Sequence, residues 1–135
     1  MKKTINLVLT IFIISSLTAC AARTSQFNKS VNRSIQKDLD TLTPAQIAKK
    51  CKKLNSKHKN NRKAVIELLY SEHKKSKFAV LTHKQISDSW LTVLSIRSKI
   101  NDKFSFIYKA YFLVTTANIK HAKKLKCEWP KSIKA

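Results

Sequence analysis

No glycine occurs anywhere in the 135 residues, although average usage would place about nine in a chain this long. Glycine is the default residue for left-handed turns and for close backbone approach to phosphate. Its absence argues against a Walker loop, a dinucleotide-binding fold, a nucleophile elbow and any hairpin-rich β architecture. What remains is helices joined by turns that need no positive φ. The length suits one domain, and a hydrophobic fraction of 43% is enough for a core. The expected fold is all-α, a compact bundle of four to five short helices.

The first twenty residues, MKKTINLVLTIFIISSLTAC, set the compartment. Lys2 and Lys3 precede an apolar run from Ile5 to Leu17, which is shorter than the roughly 20 residues of a membrane-spanning helix. It has the length of a signal-peptide core with small residues at its end. The alternatives are an ordinary secretory signal and an uncleaved anchor. Leu17-Thr18-Ala19-Cys20 resembles the lipobox of bacterial lipoproteins. That resemblance implies cleavage before Cys20 and acylation of Cys20, an effectively permanent attachment when several acyl chains are added. With Ala21 after the cysteine, the enterobacterial pattern implies the outer membrane, facing the periplasm. The inner membrane or the cell surface is the alternative.

Once Cys20 carries lipid, Cys51 and Cys127 remain in an oxidising compartment. Two cysteines there are most simply one disulfide. A metal site or a reactive thiol would need partners, and there is no CxxC or Cys–His spacing. The chain-entropy model allows up to about 4.5 kcal/mol for closing a loop of this length. Trp129, beside Cys127, is placed to cover the bridge.

Residues 1–19 are thus expected to be a signal peptide, 20–26 a lipidated tether, 27–130 the helical domain and 131–135 a loose basic tail. Phe27, Val31, Ile35, Leu39 and Leu42 trace one helical face. Thr43-Pro44-Ala45-Gln46 is a capping box with proline at the first helical position, and Ile47, Cys51 and Leu54 follow inward. The polar stretch from Asn55 to Asn61 is expected to be a loop. A third helix, Asn61 to Val80, turns Val65, Leu68, Leu69 and Phe78 inward. Thr82 to Gln85 repeats the capping box before Ile86, Trp90, Val93, Leu94 and Ile100. The last helix carries Phe104, Ile107, Tyr108, Tyr111, Val114, Asn118, Ala122 and Leu125 inward, although YFLVTTANI within it is β-prone.

The charge is a formal +21, and among 28 basic residues only Arg23, Arg33, Arg62 and Arg97 are arginines. Lysine is a hydrated point charge, whereas arginine forks recognise phosphate and bases bidentately. The surface therefore suits diffuse attraction to an anion more than a nucleic-acid reader, and aromatics are not interleaved with the basic runs. Residues 49–63 hold Lys49, Lys50, Lys52, Lys53, Lys57, Lys59, Arg62 and Lys63 with no acid. A Cys51–Cys127 bridge would draw these together with Lys120, Lys123, Lys124 and Lys126 into one basic patch. Lysine, asparagine, isoleucine and serine are all frequent, so composition alone is an equal explanation for the lysines.

Catalysis is not expected. The seven acids are scattered, and Ser71-Glu72-His73 points its side chains in different directions on a helix. His58, His73, His83 and His121 lack an i, i+4 histidine partner and are expected to be solvated, with no metal or cofactor. The expected function is protein binding by a periplasm-facing lipoprotein, as accessory or pilot subunit of a secretion, pilus or conjugation machine. In form the chain resembles the helical pilot lipoproteins that escort secretins, which would imply a groove between helices for an amphipathic segment. An immunity or inhibitor lipoprotein against a toxin or lytic enzyme is one alternative. The other is a polyanion binder acting on lipid headgroups or peptidoglycan, while nucleic acid is not an expected partner.

Overall fold

The computed structural model describes residues 23–75 and 81–132. The signal segment, Cys20, Phe78 and the last three residues lie outside them. All the described regular structure is helical: α1 over residues 23–41, α2 Pro44–Lys74, α3 His83–Lys99, α4 Ser105–Lys124, and a 3₁₀ turn Trp129–Ser132. The β-prone YFLVTTANI is helix, because Tyr108 and Thr115 turn inward on α4. The chain divides into two units, Met1–Asp40 and Thr41–Ala135. In the first, residues 23–26, expected in the tether, are already helical; Ile35 is buried and Leu39 exposed.

In the second unit both capping boxes form. Gln46 N donates to Thr43 Oγ1 at 3.3 Å and Thr43 N to Gln46 Oε1 at 2.9 Å, with Pro44 at the start of α2. Gln85 N donates to Thr82 Oγ1 at 3.2 Å, and Thr82 N to Gln85 Oε1 at 2.8 Å. Each satisfies helix-end N–H groups that would otherwise lack partners.

Two short helices separated by a loop at Asn55–Asn61 do not form. α2 is one helix of 31 residues, about 46 Å long at 1.5 Å per residue. Neither glycine nor proline interrupts it after Pro44. A stripe at alternating spacings of four and three runs through Ile47, Cys51, Leu54, His58, Asn61, Val65, Leu68 and Glu72, and every one is buried or half-buried. Polar residues occupy that stripe in the middle, but the period never breaks.

The core of this unit has two clusters. Val65, Ile66 and Leu69 of α2 pack with Ile86, Trp90 and Leu94 of α3 and Tyr108 of α4. Leu54, Ala122, Leu125 and Cys127 form the other, with Ile47, Cys51 and Trp129 against them. The sulfurs of Cys51 and Cys127 are bonded, with Cα atoms 5.5 Å apart and a sequence separation of 76. The expected disulfide thus joins the first third of α2 to the residues just past α4, and Trp129 packs beside it.

α4 stops in a way that the absence of glycine seemed to forbid. Lys126 has φ 58°, in the left-handed region. Cys127 N donates to Ala122 O at 2.9 Å and Lys126 N to Lys123 O at 3.1 Å. These are the paired bonds of a Schellman stop, usually built on glycine. The residues that follow continue into the 3₁₀ turn, so Lys131 is not in a loose tail.

Candidate functional site

Three places in the second unit hold chemically distinctive side chains: a charged network joining three helices, a cleft between α2 and α3, and an exposed apolar corner between α3 and α4.

The network centres on Arg97, near the end of α3. Its Nη2 donates to Glu72 Oε1 at 2.6 Å and its Nε to Glu72 Oε2 at 3.1 Å, a two-pronged pairing with α2. Nη2 also lies 2.8 Å from Asp102 Oδ2, and the guanidinium carbon sits 4.6 Å from the centre of the Tyr108 ring. Tyr108 donates its hydroxyl hydrogen to Glu72. The Arg97 bonds hold the Glu72 carboxyl below its usual range, and those to Asp102 act on that carboxyl likewise. Burial first, and then the Glu72 bond, pushes the Tyr108 phenol up. Asp102 also accepts the Phe104 N–H at 2.9 Å, which fixes the turn into α4. Glu72, Asp102 and Tyr108 are each committed to another group, while Arg97 Nη1 is buried with no hydrogen-bond partner, and the arrangement ties the three helices together.

Sequence reasoning missed this network, because the acids seemed scattered. The available signal was register: Glu72 lies on the inward stripe of α2, where an unpaired carboxylate would be costly. Arg97, the arginine of α3, was the natural partner.

The cleft has a volume of about 550 Å³. Lys59 and Arg62, three apart on one face of α2, line one side with His58. Ser87 to Thr92 of α3 line the other, and Trp129 closes the end. Helical dihedrals break at Ser89 (φ −122°, ψ 19°), in the middle of the α3 stretch that faces the cleft. Arg62 Nη2 reaches across to donate to Ser87 O and Oγ, both at 3.2 Å. Asp88, also on the wall, is paired with Lys84 at 2.7 Å.

His58 is the unexpected member. It is only 7% exposed, and its ring lies between two indoles, with centroids 5.5 Å from Trp90 and 4.9 Å from Trp129. Its Nδ1 is buried with no hydrogen-bond partner. Burial, and then the Arg62 charge, holds the imidazole below its ordinary range. His121 is buried too. Both depart from the expectation of solvated histidines, because helix register turns them inward. His83 is exposed and pairs with Glu67 at 3.0 Å.

Lys49, Lys52, Lys53, Lys57, Lys59, Arg62 and Lys63 are exposed on α2, and Lys120, Lys123, Lys124 and Lys126 at the end of α4; Lys50 is half-buried. The disulfide sets Lys50 and Lys52, which flank Cys51, near Lys126, which precedes Cys127. Among the described residues, no group of three His, Cys, Asp or Glu could hold a metal ion. No described helix is long and apolar enough to cross a membrane.

The corner differs from what periodicity implied. Ile100, Phe104, Ile107 and Val114, expected inward, are exposed, as are Ile96 and Phe106. Phe106 is 77% exposed and Ile96 59%. Ile96, Ile100, Phe104, Phe106 and Ile107 lie in or beside the α3–α4 turn, and Val114 lies farther along α4. Comparison with known protein families, curated proteins and solved structures found no match to this chain.

Proposed function

We propose that this chain is a lipid-anchored outer-membrane protein facing the periplasm, and that it acts by binding a protein partner rather than by catalysis. Its role is that of an accessory or pilot subunit of an envelope secretion, pilus or conjugation machine. The lipobox at Cys20 supports the anchoring, and the exposed corner from Ile96 to Ile107 carries the binding. Large apolar side chains grouped at the surface mark interaction sites, and aromatics such as Phe104 and Phe106 are enriched where proteins meet. Lys99, Lys103 and Lys109 flank the corner, and the Lys103 ammonium lies 5.0 Å from the Phe104 ring centre. The partner segment that fits is amphipathic, apolar on one face and acidic at its edges.

A photo-crosslinking side chain in place of Phe106, expressed in cells, tests this directly. One protein adduct that survives high salt and fades when Phe104 and Ile100 become aspartate is the expected result. Adducts only to lipid, or a salt-sensitive mixture gained equally from a crosslinker at Lys49, would overturn it in favour of polyanion binding. Cys20→Ser should release the protein from membranes in the same cells.

A further inference from the structure

We propose that the cleft between α2 and α3 binds a small ligand in which one anionic group, carboxylate or phosphate, is carried on a flat ring. This site is separate from the α3–α4 corner and does not depend on what docks there.

Size is the first argument. About 550 Å³ falls within the range of roughly 300–1,000 Å³ that accommodates small molecules. Charge is the second. Lys59 and Arg62 face the cavity from one side of α2, and the two Arg62 bonds to Ser87 hold its guanidinium at the rim. Both use Nη2, which leaves Nε and Nη1 to donate single charge-assisted hydrogen bonds to a ligand oxygen. The opposing acid, Asp88, is neutralised by Lys84.

The third argument is the wall. Trp90, Leu91 and Trp129 supply apolar surface for a ring, with His58 between the indoles. His58 is more than nine-tenths buried, and its Nδ1 bonds nothing in the protein. A buried polar atom without a partner is costly, and the cleft wall carries that cost at His58, whose Nδ1 is itself sealed from solvent. The break at Ser89 falls in the same wall. Cations on the α2 side, with one indole on the α3 wall and the other from Trp129, call for a ligand with two unlike ends.

The chain has two tryptophans, and both line the cleft, so their fluorescence reports on the site without a label. The purified full chain in detergent micelles is titrated with phenyl phosphate, benzoate, phenol and inorganic phosphate. Saturable quenching by phenyl phosphate or benzoate is expected, with phenol and inorganic phosphate each weaker by about tenfold or more. Which of the two ring anions is tighter identifies the source chemistry. Arg62→Met and Lys59→Met should each weaken it by about tenfold, whereas Lys109→Met, outside the cleft, should not. If Arg62→Met loses its helical signal, Lys59→Met decides, because Lys59 is exposed. Quenching that never saturates, equal affinity in Lys59→Met, or equal loss in Lys109→Met would overturn the proposal, the last by showing that net charge alone draws the anion.

Discussion

His58 occupies a place on α2 that ordinarily takes an aliphatic side chain, and it makes the protein sensitive to acid. Burial and the Arg62 charge hold its imidazole below the ordinary value. The unfolded chain therefore takes up a proton at about pH 6.5, before the folded chain does, and stability falls as pH drops through that value towards the folded one. Glu72 and Asp102 are also held low. Their contribution is complete above the ordinary carboxylate range and is lost as pH falls through their folded values. Acidification should thus lower the urea midpoint in two steps. His58→Phe, which keeps a ring between the indoles, should remove the first step and spare the second. Urea unfolding at about pH 7.5, 6, 5, 4 and 3 checks both steps, and an unchanged slope between about pH 7.5 and 5 in the variant would show that other groups are responsible. In the sequence the four histidines look alike, each near lysines. Only a correct helix register distinguishes His58 and His121 from the rest.

At the scale of elements, the starts of helices were far more legible than their interiors or ends. Thr43 and Thr82 each carry a glutamine three residues on, and both boxes form because the signal is local and complete. The middle of α2 was misread because Asn55, Ser56, Asn60 and Asn61 have loop-like composition, yet none of them ends a helix as proline would. The stop of α4 was hidden for the opposite reason. A lysine carries no sign of a left-handed turn, and only the backbone bonds from Lys126 and Cys127 reveal it. A residue with a β-carbon pays about 1–2 kcal/mol in that region, a penalty that glycine escapes. Lys126→Gly should therefore raise stability by about 1 kcal/mol, read as an increase in urea midpoint at constant slope. No change, or a loss, would mean that the lysine side chain stabilises this turn in some other way.

For the unit from Thr41 onward, the bridge and the charge act against one another. The helices carry many lysines and few acids, and like charges of this density repel. The disulfide counters that repulsion by closing a loop with a separation of 76 residues, which restricts the unfolded chain by up to about 4.5 kcal/mol. It also sets the position of the second cluster, since Leu54, Ala122, Leu125 and Trp129 surround Cys51 and Cys127. The other cluster, around Leu94 and Tyr108, has no covalent tie and is held by packing and by the Arg97 network. The two should respond differently to reduction. Cys51→Ser with Cys127→Ser should lower stability by about 2–4 kcal/mol, and the loss should be smaller at high salt, where repulsion among the lysines is screened. Tryptophan emission tells the two clusters apart. Trp129 should become wetter and shift to the red, whereas Trp90, inside the untied cluster, should not, so a Trp90→Phe background isolates the change. If stability falls but Trp129 keeps its emission, the bridge acts only on the unfolded chain. If both tryptophans shift, the two clusters are one cooperative core, and the cleft between α2 and α3 exists only in the oxidised protein.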